Sequence, residues 1–241
     1  MRKIEKTSEL LWIFGIVFVA LGVAICSKAD LGVSMVAAPA FVIYEFIALL
    51  WSGFSVGMTE YMIQGLMLIL LCLVIRKFHW RYLLAFAVAV IYGYVLNFFL
   101  FLMQGFSLDA TWLRWVMLFV GDAITAFGVA CFFRTYMPLQ VYELFVAELS
   151  SGFQWKISKV KTIFDYTLLA ISVLLAVSLF GDVTTFDFTA ITHTSYHSLG
   201  LGTIATTLIN SPLITLMGKL LDKIFVPTPR FPKIKKSLHG E

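Results

Sequence analysis

Lys28 and Arg134 are the two positions where this sequence most clearly prepares a chemistry. Each stands four residues past a matching Gly–Val–Ala run, Gly22 to Ala24 and Gly128 to Ala130. Each also precedes a chain break and a new apolar segment. A helix N-terminus carries partial positive charge and free N–H groups, so a cation beside it makes an anion site. The pair predicts a binding site for a small anionic or zwitterionic solute. Asp30 and Ser34 in the first break and Gln140 in the second are its polar neighbours. The simpler alternative is that Lys28 pairs with Asp30, or that either cation snorkels to lipid headgroups.

A second group could carry a coupling proton. Asp122 lies deep in an apolar run beside Gly121, Glu143 follows the second break, and Glu45 follows the first. An ionisable group at membrane depth is a functional candidate by default. The structural alternative for Asp122 is a partner on another span, such as Asn97 or Arg134. Glu143 and Glu148 are five apart and diverge by ~140° on a helix, so they do not form a carboxylate pair by themselves.

Other constellations are weaker. His193 and His197 have the helical spacing of a shared metal, with Asp182 and Asp187 nearby, but the Thr- and Ser-rich segment reads as a solvated loop. Cys26, Cys72 and Cys131 lie in apolar runs and form no CxxC pair. There is no P-loop, GxGxxG or Ser/His/Asp arrangement. The expectation is a protein that is not an enzyme and needs no metal or other cofactor.

The elements that must position these residues follow from composition. Of 241 residues, 60% are hydrophobic and 13% charged, and the mean hydropathy is +0.92. Soluble domains are nearer half apolar and a quarter charged. Lipid must serve as the solvent, which excludes a soluble enzyme and a nucleic-acid binder. The net charge of +4 sits in short basic clusters between apolar runs.

A helix needs about 20 apolar residues to cross the hydrocarbon. Six segments qualify: Leu10 to Ser27, Met58 to Ile75, Tyr82 to Met103, Trp112 to Phe133, Ile163 to Phe180, and Leu199 to Leu221. Two others are interrupted. Val33 to Trp51 carries Pro39 and Glu45. Pro138 to Phe153 is shorter, with Pro138 expected in its first helical turn.

Lys and Arg mark the cytoplasmic side. They cluster at Arg2 to Lys6, Arg76 to Arg81, Lys156 to Lys161, Lys219 with Lys223, and the tail. The loops Gln104 to Thr111 and Gly181 to Ser198 contain none. Six crossings satisfy every loop if the two interrupted segments enter the membrane and return. Eight full spans are the alternative, and they would place Arg76, Lys77 and Arg81 outside. Both termini are then expected in the cytoplasm, with a basic tail over residues 223–241.

The chain also matches itself at an offset of 106. Gly15, Ala20, Gly22, Val23 and Ala24 coincide with Gly121, Ala126, Gly128, Val129 and Ala130. Two repeats, about 10–103 and 112–222, each read as span, interrupted segment, span, span. Three crossings per half would invert one half relative to the other, a pattern characteristic of secondary transporters. The fold class expected is an all-α polytopic membrane protein of six spans and two re-entrant helices in two inverted repeats.

The stretch LGVAICSKADLGVS, Leu21 to Ser34, resembles the bacterial YczE/YyaS/YitT-like membrane proteins. The usual proline, tryptophan and acidic residue after that run are replaced here by Met35, Val36 and Ala37. The resemblance implies a multi-pass protein of the bacterial cytoplasmic membrane. The functional expectation is a secondary transporter working in lipid as a monomer or homo-oligomer. The alternatives are a solute-capturing subunit of an ATP-driven importer, or an accessory protein without transport.

Overall fold

The computed structural model describes residues 4–76, 78–106, 108–181 and 197–228. Six helices are long and apolar enough to cross a membrane: α1 (Ser8–Lys28), α3 (Val56–Ile75), α4 (Arg81–Leu102), α5 (Thr111–Phe132), α7 (Ile157–Phe180) and α8 (Leu201–Ile224). Two helices, α2 (Ala38–Leu50) and α6 (Val141–Phe153), have 13 residues each. At 1.5 Å per residue they reach about 20 Å, short of a 30 Å hydrocarbon core. A two-stranded parallel ribbon pairs β1 (Ile4–Thr7) with β2 (Phe225–Thr228).

The distribution of side chains is that of a protein dissolved in lipid. Leu66, Leu73, Leu83 and Phe101 are exposed, while Glu60, Gln64, Asp122, Lys161 and Asp165 are buried. Water would reverse that arrangement. The chain is therefore a multi-pass membrane protein built of α-helices.

Helices α1 and α5 form the central pair, and they run antiparallel. A Cβ on Gly128 would come within 3.0 Å of the Gly15 carbonyl oxygen, and one on Gly121 within 2.9 Å of that of Gly22. Small residues let membrane helices approach to backbone contact, which is what drives association where lipid is as apolar as leucine. Further along, the Cys26 thiol meets the Leu118 carbonyl at 3.6 Å.

The remaining helices are arranged around this pair in corresponding ways. Helix α4 packs on α1 as α8 packs on α5, and α3 pairs with α4 as α7 pairs with α8. The short helices cross over: α2 packs against α7, and α6 against α3.

Several boundaries differ from the sequence expectation. The last-but-one span begins at Ile157, six residues before Ile163, because the Lys156 to Thr162 stretch continues the helix. This brings Lys161 into a helix instead of a surface loop. Proline also changes place. Pro39 occupies the first turn of α2, whereas Pro138 lies ahead of α6, whose N-cap is Gln140.

Candidate functional site

Helices α2 and α6 begin beside one small cavity and run away from it toward opposite ends of the protein. Ser34 and Ala37, just before α2, line this cavity, as do Gln140, Tyr142 and Glu143 at the start of α6. Its volume is about 20 Å³, enough for roughly one water-sized occupant.

Twelve of the fourteen lining residues pair by position between the first and second parts of the chain. Five pairs keep the spacing of 106: Val19 with Thr125, Val23 with Val129, Ser34 with Gln140, Val36 with Tyr142, and Ala37 with Glu143. Glu60 and Lys161 make a sixth, each the fifth residue of its helix, α3 or α7. Tyr92 in α4 and Asn210 in α8 complete the lining.

The sixth pair extends one turn deeper. Gln64 donates to Glu60 Oε2 at 3.4 Å, and Lys161 Nζ lies 2.5 Å from Asp165 Oδ1. Both are i,i+4 pairs, the spacing at which helical side chains meet. The Tyr142 hydroxyl also donates to Glu60 Oε2, at 3.1 Å. Glu60 Oε1, Gln140 Oε1, Glu143 Oε2 and Asn210 Oδ1 are buried without a hydrogen-bond partner.

Of the sequence-derived candidates, Ser34, Gln140 and Glu143 come together here. Asp122 is buried on α5 with neither carboxylate oxygen hydrogen-bonded, outside the cavity lining. The two partners suggested for it are engaged elsewhere. Asn97 holds the Gly57 N–H and Ser55, and Arg134 holds Asp222.

Lys28 and Arg134 lie at opposite ends of the antiparallel α1–α5 pair, about 30 Å apart by helix length. Neither lines the cavity. Arg134 makes a two-pronged ion pair with Asp222, both bonds 2.7 Å long. Lys28 is half-buried at the end of α1. Asp30 adopts a left-handed conformation with φ 53° and pairs with Arg114 at 3.2 Å. Glu45 accepts from His197 Nδ1 at 3.0 Å and from the Ser198 hydroxyl. His193, Asp182 and Asp187 lie outside the described residues. Among the described residues no three His, Cys, Asp or Glu side chains group as a metal site.

The two ends are built on corresponding positions but differ in closure. At the Lys28 end, Val33 N–H donates to the Ser198 carbonyl and Gly202 N–H to that of Leu31, each at 2.9 Å. At the Arg134 end, a cleft of about 390 Å³ between α7 and α8 is lined by Arg134, Ser158, Lys161, Ser211, Lys219 and Asp222. Lys161 belongs to both cleft and cavity, so it stands between them.

Sequence reasoning missed Glu60, Lys161 and Asp165. The available signal was their type and spacing. An acid at membrane depth is costly without a partner, and both helices carry one with a polar residue four positions away.

No curated protein and no solved structure matches this chain. A family model does match, over residues 6–219. That stretch takes in the antiparallel α1–α5 pair, both short helices and every residue lining the cavity. The chain belongs to this family, DUF6198, a family of unknown function.

Proposed function

We propose that the protein is a secondary transporter that moves a small anionic or zwitterionic solute across the bacterial cytoplasmic membrane. The observation that carries this reading is the cavity lined by matched residues of two halves whose first helices run antiparallel. Inverted halves with interrupted helices, meeting at one central site, are the architecture of alternating access. The stretch Leu21 to Ser34, with its resemblance to YczE/YyaS/YitT-like proteins, falls within the family match and agrees with that setting.

In this reading the cleft at the Arg134 end is the open entrance, on the cytoplasmic side with the basic clusters. Arg134, Lys161 and Lys219 outnumber Asp222 in the lining of that entrance, and the solute's anionic group lodges in the cleft against Lys219 and Lys161. A cation gradient drives accumulation. The test is uptake of labelled amino acids and small carboxylates into liposomes holding the purified protein, without ATP. At least one should accumulate under a cation gradient, and Lys161→Gln should abolish the uptake while Asp109→Asn leaves it intact. A requirement for a copurifying ATPase would make the chain an importer subunit instead.

A further inference from the structure

Unpartnered oxygens gather around the cavity between the two short helices, and this bears on what it can hold. Nine buried side-chain atoms lack a partner among the described residues, and eight of them are carboxylate or amide oxygens. None is a nitrogen. The remaining one is the Tyr82 hydroxyl. Four of the eight belong to cavity-lining residues: Glu60, Gln140, Glu143 and Asn210.

Charge points the same way. Among the described residues, Glu60, Glu143, Asp122 and Asp165 are buried with a single buried cation, Lys161, which is already held by Asp165. A buried carboxylate is tolerated only when it is paired or protonated, so the surplus acid takes up either a proton or a cation from outside the chain.

The helix N-termini do not favour an anion here. The N–H groups of Ala37 and Ala38 both donate to the Ser34 carbonyl, those of Ala40 and Phe41 to Ala37, and Pro39 has none. The first turn of α6 carries its own acid, Glu143, beside the helix dipole. The donors that would cradle an anion are engaged on one side and already faced by a carboxylate on the other.

Size narrows the class. A space for about one water-sized occupant excludes an organic ion. Magnesium is disfavoured because it keeps several waters, for which the space has no room.

We infer that this cavity is a binding site for one dehydrated monovalent cation, alkali or ammonium, held by oxygens of Glu60, Glu143, Gln140 and Asn210. The inference deepens the transporter reading by naming the ion whose gradient it uses. Its test is a binding measurement, so it stands or falls separately from uptake.

The experiment follows thermal unfolding of the purified protein in detergent with sodium, potassium or ammonium chloride, against choline chloride at equal ionic strength. At least one of the three cations should raise the melting temperature saturably by several degrees, since a ligand bound only to the folded state stabilises it. Which cation does so separates the alkali from the ammonium case. Glu60→Gln and Gln140→Met should each raise the half-saturating concentration at least tenfold, while Asp109→Asn should match the parent. Identical melting in all four salts would overturn the site. So would a cation effect that both cavity variants retain, which would place the ion elsewhere.

Discussion

Gly57 and Gly93 bring α3 and α4 into backbone contact. A Cβ on Gly57 would fall well inside contact distance of the Gly93 carbonyl oxygen. The Asn97 side chain closes the same junction by accepting the Gly57 N–H at 2.9 Å. The corresponding second residue of α7 is Ser158, and it lines the open cleft together with Ser211. Ser211 Oγ donates to the Ser158 carbonyl at 3.3 Å, so α7 and α8 meet through a side chain where α3 and α4 meet backbone to backbone.

Gly57→Ala should therefore force α3 from α4, because the obstructing atom is backbone and cannot rotate away. Overpacking of this kind costs about 1–3 kcal/mol. Gly105→Ala, where nothing lies within 4 Å, should be near neutral. Thermal unfolding in detergent compares the two. Equal melting temperatures would mean that the α3–α4 junction yields easily.

Lys161 and Asp165 are 4% and 1% exposed, so removing one partner strands the other. Lys161→Met should cost about 3–5 kcal/mol, and adding Asp165→Leu should recover most of it. Urea or thermal titration of the three variants gives the coupling directly. Recovery would assign the pair to function instead of stability, since an apolar pair then folds as well.

The loop Arg76 to Arg81 should face the cytoplasm. Single cysteines placed at Phe78 or His79 in a cysteine-free background should resist membrane-impermeant thiol reagents in intact cells and react after lysis. Labelling from outside would mean eight crossings and parallel halves.

The six long helices were legible because their apolar runs exceed the bilayer thickness, and the two short ones because Pro39, Glu45 and Pro138 interrupt theirs. The spacing of 106 was legible from glycines, and it recurs in contacts that no single-chain pattern displays. Asp30 meets Arg114 at one end of the central pair, while Tyr136 N–H donates to Ser8 Oγ at 3.2 Å at the other. Those four positions are related by the same spacing. The site was less legible. Lys28 and Arg134 drew notice as a symmetric pair, but antiparallel helices carry equivalent ends to opposite faces. Lys161 was read as a topology signal, because a lysine near a span end is more often a headgroup anchor than a buried side chain. Only the extra turns of α7 beyond that boundary turn it inward.

The glycine face of α1 has no partner until α5 exists. Those faces are separated by a hundred or so residues of chain, which a ribosome adds in roughly 5–20 s. Throughout that interval the N-terminal half resides in the bilayer with its small-residue surface against lipid and Glu60 without Tyr142. The first half is then an unfinished half-shell. Its escape from wrong pairing with neighbouring chains, or from proteolysis, depends on how quickly translation delivers the second half.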